Sequence, residues 1–201
     1  MSTLKTSSVK TLAQLGTLVA ATHGWAAAKA FKAYAPSDAD RAAVSKSALD
    51  LLRVFPPHAL AGAVMSGALA VQLDKALAAP VQVVAGTLAV EGVPVLGTRA
   101  PFDGAAVFGQ AEPAFAGHVW VMIGATIVDI SLFRTAYSAQ GPARLARHVD
   151  LAFGPGKALL VDDWRHAGKL GLGYEPQYVL GAQEVTRLMG AAYQAIKTAR
   201  A

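Results

Sequence analysis

The chain has 201 residues, of which 54% are hydrophobic and 15% charged, with a formal net charge of +5 and no cysteine. This composition excludes a disordered chain, a disulfide scaffold, a thiolate metal site and, for the sequence as it stands, a cysteine nucleophile. The 18 basic residues form no run, so a solvated, mildly basic surface is expected and a nucleic-acid partner is not.

One domain over 1–201 is expected, with a helical part over 1–56, a central part over 57–131 and a last part over 132–201. Near the amino end, Lys5 and Lys10 precede LAQLGTLVAATHGWAAAKA, which faintly resembles a secretory leader ending in A-x-A. Gln14, Thr17, Thr22, His23 and Gly24 interrupt that run, so a retained helix over about 9–34 is expected instead. Its Leu12, Leu15, Val19, Trp25, Ala28 and Phe31 recur at helical spacing. No apolar run approaches the ~20 residues of a membrane span. A cytoplasmic protein with no membrane partner is the expectation.

Pro36 ends the first helix, and Ser37 with Asp38 and Asp40 starts a second, SDADRAAVSKSALDLLRVF. Pro56 and Pro57 break the chain again. A third helix is expected over about 58–78, almost free of charge until Asp74 and Lys75. A helix apolar all round belongs at the centre of a fold. Its first half is built of small residues (Ala59, Ala61, Gly62, Ala63, Ser66, Gly67, Ala68), which let other elements approach closely.

The hydrophobic period then changes from helical to alternating. Residues 80–92 and 93–98 read as two strands joined by a turn, and 99–116 as a loop anchored by Phe102, Phe108 and Phe115. LFRTAYS and GPARLARHVDLAF read as short helices, KALLVDDW and YEPQYVL as short strands, and AQEVTRLMGAAYQAIKTARA as a closing helix. The predicted fold class is α+β: helices first, one of them buried, packed on an antiparallel sheet.

Between these elements lies GHVWVMIGATIVDIS, residues 117–131. HVWVMIG and TIVDIS flank Gly124-Ala125, the natural tight turn. A two-residue loop fixes the register, setting Asp129 opposite Trp120 and His118 opposite Ser131. His118 and Asp129 then share one sheet face, with backbones roughly 5–8 Å apart. An aspartate so placed fixes the tautomer of a histidine and stabilises its cation. A plain structural hydrogen bond fits the same spacing.

These residues resemble the histidine and aspartate blocks of the transglutaminase-like branch of the papain-like superfamily, where an H-x-W-V strand precedes a strand carrying the third triad member. The upstream order is similar too: a central helix ending in a leucine, small residues and a proline, KALAAPVQVVAG, then a strand. The likeness spans about 58–131. In that family the nucleophilic cysteine lies near the amino end of the central helix, whose dipole favours the thiolate. Spacing from Pro80 puts that position at Ala63, with Gly62 the next register and part of the pocket.

The resemblance implies a thiol-dependent hydrolase or acyl transferase acting on a peptide or an amide-containing small molecule. Peptidase or amidase is the favoured form, and no cofactor or metal is called for. His118 would shuttle the proton, Asp129 would hold His118, and Trp120 would be a pocket wall or a core residue. Oxyanion stabilisation would need a donor besides the nucleophile's own N–H, and Gln72, Gln82 and Gln110 are unranked for it. Three accounts of Ala63 stand open: an engineered Cys→Ala change, natural loss of the chemistry, or replacement by Ser66 one turn further on. A non-catalytic binding module on the same fold is the alternative function, and association through the apolar first helix a third.

The remaining candidates carry weaker signals. His23, His58, His148 and His166 show no metal-ligand spacing. Asp162 and Asp163 read as solvated, Glu91 and Asp103 as flanks of the loop, and GKLGLGYEP as no phosphate loop.

Overall fold

The computed structural model describes residues 2–56, 62–110 and 113–199. Helix α1 (Ser2–Ala33) turns sharply at Gly24, whose φ of 85° and ψ of 164° suit only glycine. Leu15, Val19, Ala28 and Phe31 face inward on either side of that kink. Helix α2 (Asp38–Val54) begins with the reciprocal cap that its sequence announces. Ser37 Oγ accepts from the Asp40 N–H, and the Asp40 carboxylate accepts from the Ser37 N–H.

Helix α3 (Gly62–Ala76) is the buried central helix, with Met65 to Ala70 and Leu73 out of solvent. The expected start at 58 falls outside the described residues, and the helix stops two residues before the expected 78. It packs on the sheet, on α2 and on the closing helix α8 (Ala182–Ala199). Small residues allow this: a Cβ on Gly67 would stand 2.5 Å from Leu188 Cβ.

Six antiparallel strands form the sheet: β1 (Val81–Val90), β2 (Val93–Leu96), β3 (His118–Ile123), β4 (Thr126–Asp129), β5 (Leu160–Asp163) and β6 (Leu172–Val179). β1 is the hub. Its first residues pair with β3, its last with β2, and most of its length with β6. β4 and then β5 extend the sheet beyond β3.

Four shorter helices connect the strands. Helices α5 (Leu132–Tyr137) and α6 (Ala143–Phe153) match their sequence signals. Helices α4 (Gly104–Phe108) and α7 (Trp164–Lys169) were expected as loop or strand end; each is capped by an aspartate, Asp103 and Asp163 respectively. No helix among the described residues is long and apolar enough to cross a membrane.

The sheet separates two cores. Residues 119, 121 and 123 of β3 face α2, α3 and α8, whereas 120 and 122 face α1, α5, α6 and α7. The chain is therefore α+β, with helices on both faces of the sheet. The sheet is also strongly curled. A flat sheet would set β6 and β4 roughly 14 Å apart, with β1 and β3 between them. Yet the hydroxyl of Tyr174 in β6 lies 2.8 Å from the carboxylate of Asp129 in β4.

Candidate functional site

The hairpin register is the expected one. Ile123 pairs with Thr126 across Gly124-Ala125, and Val121 pairs with Val128. Gly124 has a φ of 57°, and a Cβ there would strike the Tyr34 carbonyl oxygen at 2.2 Å. Glycine is thus required twice over at this turn. With the register fixed, His118 at the start of β3 and Asp129 at the end of β4 share one face. His118 Nε2 donates to Asp129 Oδ2 over 2.5 Å, with 3% of His118 and none of Asp129 exposed.

Four further hydrogen bonds converge on the same carboxylate. Tyr174 O–H donates to Oδ2 at 2.8 Å. The Ser131 N–H, the Ser131 hydroxyl and the Leu132 N–H all donate to Oδ1, at 3.0, 3.2 and 2.9 Å. Burial alone would push the carboxyl up. The adjacent His118 charge, the His118 and Tyr174 hydrogen bonds and the Ser131 N–H reverse this and hold it below the usual carboxylate value. Burial, the Asp129 charge and its hydrogen bond, and the Asp162 charge in turn raise Tyr174 well above the ordinary phenol value. Tyr174 is therefore a protonated donor and Asp129 a buried anion.

An anionic carboxylate only accepts, so Nε2 of His118 carries its proton. In the neutral form of the ring, Nδ1 is the atom left to take a proton from a reacting group, and the resulting cation is the form whose charge Asp129 stabilises. The chemistry open to such a pair is general base and then general acid catalysis, with the aspartate orienting the ring.

The amino end of α3 reaches this network from the other side of the strand ends. A Cβ on Gly62 would stand 3.2 Å from Ser131 Oγ, the hydroxyl bound to Asp129. Gly62 thus adjoins the carboxylate's own turn, and a larger residue there would crowd it. Ala63 follows, half-buried at the edge of the core that α3 shares with α2 and α8. Ser66 is not brought to His118. It is fully buried and donates its hydroxyl to the Val119 carbonyl at 2.8 Å, on the face of β3 that points away from the imidazole.

Trp120 has no exposed surface and stands in the core rather than at an opening. Its ring lies 6.1 Å from His118 and 5.2 Å from Tyr174, so it walls the network from within. Gln82 pairs with Met122, four residues along β1 from the Gly86–His118 pair. That is roughly 13 Å from the strand end, too far to serve a reacting atom there. Gln110 is exposed after α4, and Gln72 lies in the second half of α3.

Two of the other histidines have local roles, whereas His148 in α6 has a buried Nε2 with no hydrogen-bond partner among the described residues. His23 Nε2 donates to the Leu180 carbonyl, and His166 pairs with Asp162 at 2.7 Å on the surface. His58 lies outside the described residues. Glu91 pairs with Arg144, and Asp103 and Asp163 cap helices. No group of three or more histidine, aspartate or glutamate side chains that could hold a metal ion occurs among the described residues.

Tyr174 is the participant that sequence reasoning missed. It lies in an expected strand, but its meeting with Asp129 depends on β6 pairing with β1 and on the curl, which no local pattern encodes. The chain matches no family model, no curated protein and no solved structure.

Proposed function

We propose that the His118–Asp129 pair is the base and orienting acid of an acyl-transfer site of the transglutaminase-like, papain-like kind, with position 63 as its nucleophile position. The observation that carries this reading is that the buried imidazole and the amino end of the central helix both adjoin the Asp129 network, the imidazole directly and the helix end through Gly62 and the Ser131 hydroxyl. An α+β chain with a buried helix on an antiparallel sheet is also what that resemblance calls for. In a protein with cysteine at 63, the thiolate would attack an amide carbonyl, and Nδ1 of His118 would deliver the proton to the leaving amine. Water or a second amine would then release the acyl group.

With alanine at 63, and with the Ser66 hydroxyl committed to Val119, the chain lacks the nucleophile for that cycle. This favours a second reading, a module that binds a peptide or amide-containing molecule without turning it over.

The Ala63→Cys protein tests the catalytic reading through its iodoacetamide alkylation rate across pH 4 to 9, with and without His118→Ala. The expected result is a thiolate that persists well below the ordinary thiol value of about 8.5 and disappears with the imidazole. A sluggish thiol indifferent to His118 would sink the reading.

A further inference from the structure

Asp129 accepts on both oxygens, but only Oδ2 is shared between two donors on different strands, His118 Nε2 and Tyr174 O–H. Oδ1 is held locally, by backbone and side chain within three residues of the aspartate. The Tyr174 hydroxyl therefore competes with the imidazole for one oxygen. Its ring cannot swing away, being buried and set against Trp120 at 5.2 Å and Trp164 at 6.3 Å.

Besides His118 of β3, whose ring centre lies 6.1 Å away, the side chains set against it from β1, β3 and α7 are Leu88, Trp120 and Trp164, none of them charged. Asp162 in β5 is the other charge felt at the hydroxyl. In so poorly solvated a setting, a hydrogen bond to an anion is worth about twice a neutral one and redistributes the anion's charge appreciably.

We infer that Tyr174 is a positioning residue of the site: its hydroxyl sets the plane of the Asp129 carboxylate and withholds part of its charge from His118. The inference deepens the acyl-transfer reading and rests on it for its function. A base that must accept a proton and give it back is weakened by an aspartate that binds the imidazolium too tightly. The tyrosine limits that binding. It acts through Asp129 and touches no reacting atom.

The direct test is NMR titration of the His118 ring in the unaltered protein and in Tyr174→Phe, which keeps the ring and removes one oxygen. Without the hydroxyl, more of the carboxylate's charge goes to the imidazolium, so the midpoint should rise by about one pH unit. In an Asp129→Asn background the same substitution should move it far less. An unmoved midpoint, or an equal shift in both backgrounds, would overturn the inference. A role confined to packing predicts the unmoved midpoint.

One measurement needs no variant. The Tyr174 hydroxyl proton should resist exchange and show a nuclear Overhauser contact with the His118 Nε2 proton, and its absence would equally overturn the inference. These readouts are separate from thiol reactivity. An inert Ala63→Cys thiol beside a shifted His118 midpoint would reject the catalytic reading and keep the coupling, and the reverse pair of results would do the opposite.

Discussion

On the face that α3 covers, the sheet meets alanine, glycine and leucine: Ala68, Leu69 and Leu73 lie against Val83, Ala85, Val119 and Val121. On the other face it meets an anion, an imidazole, a phenol and two indoles, equally out of water. The first face gains stability from close approach, and any added atom is costly. The second holds its anion, imidazole and phenol by mutual hydrogen bonds, and an atom removed from that network is costly. A single sheet thus holds a core sensitive to addition and a core sensitive to deletion, a few ångströms apart.

Substitutions on the two faces should separate these sensitivities. The largest expected effect is from Asp129→Ala, which strands His118, Tyr174 and the N–H groups of Ser131 and Leu132 at once. Removing one member of a buried charged network costs about 3–5 kcal/mol, to be read from urea unfolding. A loss under about 1 kcal/mol would show the network to be far wetter than described.

Titration removes the same interactions by degrees. Asp129 is held below its unfolded value, so its contribution is complete above about pH 4 and declines as pH falls through the folded value. Tyr174 is held above its unfolded value, so its contribution is complete below about pH 10 and declines as pH rises beyond it. Stability against pH should therefore fall at both ends. Asp129→Asn should flatten the acid limb, and Tyr174→Phe the alkaline one.

The smallest effect belongs to the other face. Gly67→Ala gains helix propensity but drives a methyl to within 2.5 Å of Leu188 Cβ, an atom that no rotamer moves. A net loss of about 1 kcal/mol is expected by thermal unfolding, the overpacking outweighing the propensity gain. A gain would mean that α8 can shift away from α3 freely.

How far all this was legible in the sequence follows the range of the interactions. The His118–Asp129 register could be deduced because a two-residue turn and a period of two leave no freedom. The cap on α2 was legible for the same local reason. Helices α4 and α7 were not, being five and six residues long with too few turns to show a period. The kink in α1 was hidden because Gly24 sits in a segment whose apolar spacing continues on both sides. Trp120 could be read as wall or core, and its packing against Tyr174 of β6 and Trp164 of α7 decides how deeply it lies. Tyr174 was invisible as a site residue because the contact that defines it is between strands 45 residues apart.

The hub position of β1 also has a bearing on how the molecule assembles. The β3–β4 hairpin closes over two residues, an event of microseconds, whereas β6 meets β1 across more than 80 positions of chain. Loop-closure entropy and the dependence of rate on contact order make the second event the slow one. His118 and Asp129 can therefore be neighbours in a partly folded chain long before Tyr174 arrives. Pairing of β6 with β1 is the step that brings Tyr174 to the carboxylate and fixes the curl of the sheet.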